Sequence, residues 1–234
     1  DANWFTNFPT TVSWVEFLYA YNHQHSLDGV IALDQQVLVA LLSVTGPINV
    51  QYSEVPVTSA NVITFMRDAK TPPFQPQPTD WTRKSSIKNI GNEIIKKLTA
   101  NFGALDWQKL VEMVVRMLNE RHLLLQFDDK SVAALLAELE WDGGIHPGNG
   151  DFLMVVDSNI GYNKANPVVE TLYTYDVDLT QPQAPESILV VSQANASPST
   201  RSCVQYGGAT PEDNRYPIYH CYWNYLRVYA LTGA

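Results

Sequence analysis

The densest run of side chains suited to chemistry lies between Asp157 and Asn166, in the segment Asp-Ser-Asn-Ile-Gly-Tyr-Asn-Lys-Ala-Asn. Asp157, Asn159, Asn163 and Asn166 place four carboxylate or amide groups within ten residues, with Lys164 among them. Such a set can coordinate Ca2+ or hydrogen-bond a sugar. The same residue types also tolerate tight turns and bond their own backbone, which is the more economical reading of a loop. Two further carboxylates, Asp28 and Asp34, bracket a short apolar run. Asp34 is placed to cap a helix, and Asp28 reads as a turn residue or as a carboxylate beside a site. Arg83 falls in the first turn of a predicted helix, where a cation opposes the helix dipole and so favours an anionic partner.

Other constellations are weaker. His23 and His25 end a predicted helix, where alternate residues point apart, and a complete metal site needs three or four ligands. The sequence contains no H-E-x-x-H, G-x-S-x-G, zinc-spaced cysteine pair or phosphate-binding glycine loop, which argues against common hydrolases and nucleotide enzymes. No resident cofactor is expected, with Mg2+ or Ca2+ the ions these carboxylates would suit. A net charge of −9 repels a phosphate backbone, and no basic cluster with interleaved aromatics is present, so nucleic acid is not an expected partner. The longest apolar run, Val37 to Val44, is far short of the ~20 residues that span a bilayer.

Cys203 and Cys221 flank a loop rich in turn residues (Gly207-Gly208, Pro211, Asp213-Asn214, Pro217). A disulfide closing that loop would stabilise the fold by roughly 3 kcal/mol and would imply an oxidising compartment. Two buried free thiols are the alternative. Twelve Tyr, eight Phe and six Trp supply rings for a sheet-based core or for faces that hold glycans and partner proteins.

The elements that must carry these residues follow from periodicity. A helix is expected over 11–22, with Ser13 and Glu16 as a capping box. An apolar strand follows over Leu27 to Leu33, then a helix from Asp34 to the Gly46-Pro47 stop, then a strand from Ile48 to Tyr52. This β-α-β stretch of about 25 residues suits a right-handed crossover between parallel strands. Further helices are expected from Thr58, along Ile87-Ile90-Ile94-Leu98, along Trp107-Leu110-Val111-Val114-Leu118 with Glu112 and Arg116 paired, and along Val132-Leu135-Leu136-Leu139. Leu123 to Phe127 reads as a strand, and Thr71 to Thr79, with four prolines in nine residues, as an extended loop. The turn-rich stretch near 142 separates an α/β domain (1–142, a mixed sheet with flanking helices) from a β-rich, sandwich-like domain (143–234). In the second, Val169 to Leu179, Ile188 to Gln193 and Tyr222 to Leu231 alternate as half-buried strands.

Four blocks, DANW-x-x-x-FP (Asp1 to Pro9), LDGVIALD-x-x-x-L-x-x-LL-x-x-TGPI (Leu27 to Ile48), GDFLMVVDSNIGYNKAN (Gly150 to Asn166) and CYWNYLRVY (Cys221 to Tyr229), resemble the bacterial and archaeal family catalogued as domain of unknown function 4012. That resemblance implies an internal portion of a longer, membrane-anchored, extracytoplasmic protein. Its partners would be other segments of the same precursor, neighbouring envelope proteins or a glycan. The expected role is a non-catalytic binding or structural module of the cell surface. More distantly, the Leu27 to Ile48 block and Asp80-x-x-Arg83 are similar to the LytR-CpsA-Psr family, which attaches glycopolymers to the cell wall using arginines and Mg2+. This similarity would make Arg83 a phosphate contact and Asp28 or Asp34 a neighbour of the site. Ser86 stands where that family's helix motif has its second arginine.

Overall fold

The computed structural model describes residues 2–51, 53–68, 83–100, 102–161, 165–181, 183–197 and 221–230. The fold is mixed α/β, and the chain divides into two compact units, Asp1–Ile145 and His146–Ala234.

The first unit opens with helix α1, Phe8–His23, three residues earlier than the periodicity predicts. Pro9 in its first turn presets the helical φ. Ser13 and Glu16 therefore lie inside the helix rather than forming a capping box, and the Ser13 hydroxyl bonds back to the Pro9 carbonyl at 3.2 Å. Strand β1, Gly29–Leu33, leads through Asp34 into α2, Gln35–Thr45. Asp34 caps α2 by accepting from the Gln36 amide at 2.7 Å, and Gly46 ends it at φ 77°, which a side chain would resist.

The expected parallel crossover is not formed. β1 pairs antiparallel with β2, Leu123–Phe127, in the register Ile31 opposite Leu125. Ile48 makes only an isolated antiparallel bridge with Val57. Val50 and Val57 are buried, so the apolar run that reads as a strand serves the core without joining a sheet. Gly29, at φ 154°, lies against β2: a Cβ there would collide with the Gln126 carbonyl and with Phe127.

Helices α3 (Val62–Asp68), α4 (Arg83–Ala100), α5 (Trp107–Asn119) and α6 (Lys130–Glu138) complete the unit. α3 starts after Thr58 because the Asn61 carboxamide takes the Thr58 amide in a turn at 2.7 Å. Asp106 and Asp129 cap α5 and α6, and both carboxyls sit below their ordinary value. For Asp106 the first cause is the Lys109 side chain; for Asp129 it is the backbone N–H of Val132. One apolar cluster joins Leu42, Ile48, Val50, Val57, Val62, Phe65, Ile90 and Ile94. A second joins Val37 and Ala40 of α2 to Met113 and Met117 of α5. On α5 Met113, Met117 and Leu118 are buried and Leu110 and Val114 pack against the same cluster, whereas Trp107 and Val111 of the expected stripe are exposed. Glu112 accepts from Gln108 at 3.0 Å. The proline-rich 71–79 stretch lies outside the described residues.

The second unit holds two antiparallel ladders. β3 (Leu153–Asn159) pairs with β6 (Asn224–Ala230), and β4 (Val169–Asp178) pairs with β5 (Glu186–Asn195). β3 is half-buried along its length, and Ala165 is the one apolar residue of this unit that is fully buried among the described residues. Side-chain hydrogen bonds take a correspondingly larger share in joining the ladders.

In the first unit, Glu16 of α1 stands beside Asp128 at the end of β2. Its Oε1 is shielded from solvent with no hydrogen-bond partner. Burial, then the charge of Asp128 and a hydrogen bond with it, raise the Glu16 carboxyl above its ordinary 4.5. A raised folded value means stability that is complete below the unfolded value and lost as pH rises through the folded one. Glu16→Gln should therefore gain stability relative to the parent between roughly pH 4 and pH 7. Urea midpoints across that range check this, and a difference that does not change with pH would contradict it.

Candidate functional site

In the β3–β6 ladder Asp157 stands opposite Leu226, and Asn159 opposite Asn224. Alternation puts Asp157, Asn159 and Asn224 on one face. In the β4–β5 ladder Thr171 stands opposite Gln193, on the same face as Tyr173, Tyr175, Leu189 and Val191. These two faces are joined by polar contacts. The Gln193 amide donates to Asp157 Oδ2 at 2.8 Å and to the Thr171 hydroxyl at 3.3 Å. Its carbonyl oxygen accepts from the Asn224 amide. Nearer the end of β3, Tyr175 donates to Asp151 at 2.7 Å.

Tyr222, one residue past Cys221, completes the arrangement. Its hydroxyl donates to Asp157 Oδ1, and the Asn166 amide approaches the same hydroxyl at 3.5 Å. Asn166 in turn accepts from the Asn159 amide at 3.1 Å, while the Asn159 oxygen accepts from the Gly161 N–H at 2.9 Å. Burial, then the hydrogen bond to Asp157, then the charges of Asp157 and Tyr173 push the Tyr222 phenol far above its ordinary value of 10.0. The phenol is a fixed donor, and it holds Asp157 in place as an acceptor.

Both Asp157 oxygens are thus engaged, by a phenol and by an amide. The result is a neutral-to-acidic lattice of amides and hydroxyls with Asn166, Gln193 and Asn224 exposed at its rim and Tyr173 beside it. Groups of this kind bond hydroxyls in either sense, as donors or acceptors. Among the described residues no group of three or more His, Cys, Asp or Glu side chains is placed to hold a metal ion.

Asp157, Asn159 and Asn166 are brought together, with Asp157 and Asn159 inside a strand rather than in the expected loop. Asn163 and Lys164 lie outside the described residues. Asp28 and Asp34 belong to the other unit, at opposite ends of β1. Asp34 is occupied as the α2 cap and bonds His122 Nδ1 at 2.7 Å. The backbone oxygen of Asp28 accepts from the Asp128 N–H at 3.0 Å. Arg83 begins α4, with its side chain outside the described residues. The His23 ring packs on Tyr19 at 4.4 Å, and Gln24 turns left-handed to end α1. Cys203 lies outside the described residues, and Cys221, beside Tyr222, is not a free thiol.

Sequence reasoning missed Tyr222, Gln193 and Asn224. Gln193 left a signal, being a polar residue in register with the inward positions Leu189 and Val191 of an alternating strand. Tyr222 left none, because its partner is 65 residues away.

Residues 1–70 match the model of the family described as Protein of unknown function (DUF4012). The family reading made from Asp1 to Pro9 and Leu27 to Ile48 is borne out over that stretch. No curated protein and no solved structure matches the chain, and these findings give no support to the LytR-CpsA-Psr similarity. The amide lattice lies beyond the matched residues.

Proposed function

We propose that this chain is a non-catalytic binding module of the cell surface, and that its second unit holds a polyhydroxylated ligand, a glycan, at the lattice around Asp157. The observation that carries this reading is the engagement of both Asp157 oxygens by Tyr222 and Gln193. It leaves a rim of exposed amides, Asn166, Gln193 and Asn224, oriented by the same hydrogen bonds. Tyr173, exposed beside Tyr222, offers a ring face against which a sugar can lie. A net charge of −9 favours neutral or cationic ligands over polyanions. The phosphotransferase alternative has no observation of this kind behind it, since Asp34 is committed to a cap and to His122.

On an array of cell-surface oligosaccharides the chain should retain at least one glycan. Asn166→Ala and Gln193→Ala, both at the exposed rim, should each weaken retention about tenfold, equivalent to about 1.4 kcal/mol, with unchanged circular dichroism. Absence of any retained glycan, or retention by both variants equal to that of the parent chain, would count against the site.

An extracytoplasmic location further proposes that Cys203 and Cys221 are bonded to each other, closing the segment that ends beside Tyr222. Mass spectrometry of the chain purified without reductant should show neither cysteine alkylated until reductant is added. Two freely alkylated thiols in the folded chain would remove the support for an oxidising compartment.

A further inference from the structure

β1 has a single strand neighbour. Among the described residues it pairs with β2 alone. The Asp128 N–H bonds the Asp28 carbonyl and the Asp34 N–H bonds the His122 carbonyl, so the even-numbered residues of β1 direct their backbone groups at β2. Gly29, Ile31 and Leu33 direct theirs away. The outer side of β2 is partly used, since the Leu125 N–H bonds the Trp141 carbonyl at 3.0 Å. Among the described residues no such contact serves the outer side of β1.

That edge also lacks the devices that normally prevent pairing. Gly-Val-Ile-Ala-Leu contains no proline and no charge, and its ladder with β2 runs without a bulge. Ile31 and Leu33 are 57% and 53% exposed. Carboxylates stand at both ends. Exposed Asp28 precedes the strand, with Asp128 across the ladder from it and Glu16 beside Asp128, and Asp34 follows the strand. Self-pairing of two copies about Ile31 would set Asp28 against Asp34 of the other copy, which opposes a homodimer.

We propose that the outer edge of β1 is a docking site for an extended strand of another protein, apolar through its middle and carrying Lys or Arg at its ends. The three outward backbone positions supply donors and acceptors for strand addition, Ile31 and Leu33 supply apolar contact, and the terminal carboxylates select basic flanks.

The probe is the synthetic peptide Lys-Thr-Val-Ile-Val-Thr-Lys, titrated into the whole chain while amide hydrogen exchange is followed by NMR. Exchange at Ile31 and Leu33 should slow by about tenfold or more at saturation. A peptide with Glu in place of both lysines should bind about tenfold more weakly, and Asp28→Lys should reverse that preference. The substitution is at an exposed position, and the reversal distinguishes docking from a loss of folding. Unchanged exchange at saturation, or equal binding of a peptide with proline replacing the central Ile, would overturn the proposal. So would protection of the same amides in the free chain together with a dimer in sedimentation, which would assign the edge to a second copy.

Discussion

The carboxylate of Asp157 is the point at which the second unit is joined. It lies on β3, yet its two oxygens are held by Tyr222 ahead of β6 and by Gln193 of β5. In a unit whose described residues bury a single apolar side chain completely, hydrophobic burial alone gives the two ladders little reason to stay in register. Hydrogen bonds to an ionised acceptor contribute about 1.5–3 kcal/mol each where they are shielded, and less where water competes. The Tyr222–Asp157 bond is the part-buried one, and the Gln193–Asp157 bond is exposed. The groups that join the ladders also form the surface proposed to meet a glycan, so ordering that surface adds little to the entropic cost of binding.

The first unit rests on different physics. Its core is made by helix faces together with the Ile48–Val57 bridge, with Leu42, Val57, Val62 and Ile90 almost fully removed from water. Its sheet is reduced to two short strands held close by Gly29. Two strands are marginal by themselves, and α1, α5 and α6 pack against β2 while β1 has no second strand neighbour among the described residues. The division of labour is then between a helical scaffold and a β-rich unit with a polar surface.

Local chemistry was legible in the sequence, and long-range pairing was not. Asp34 is a cap because a carboxylate before an apolar period meets the free amides of its own helix, and Gly46 stops α2 by its own φ. Leu123–Phe127 was readable as a strand, but nothing in its neighbourhood says that it pairs with Gly29–Leu33 far upstream. The run after Gly46-Pro47 has strand composition and was assigned a partner it does not have. On α5 the stripe Leu110, Val114 and Leu118 does face the core, while Met113 and Met117 also fill the gap beside α2 and Val111 stays exposed. In the site, Asp157, Asn159 and Asn166 were visible as a polar cluster, whereas their partners depend on the register between ladders.

The central claim, that the Tyr222 phenol fixes the Asp157 carboxylate through which Gln193 joins the two ladders, is tested most directly by a double-mutant cycle. Asp157→Asn, Tyr222→Phe and the double variant would be unfolded in urea alongside the parent chain. A coupling free energy of about 1–2 kcal/mol is predicted, with the double variant little less stable than either single one. Strictly additive losses would mean that the two side chains are neighbours without a shared bond, and the account of the second unit would fail.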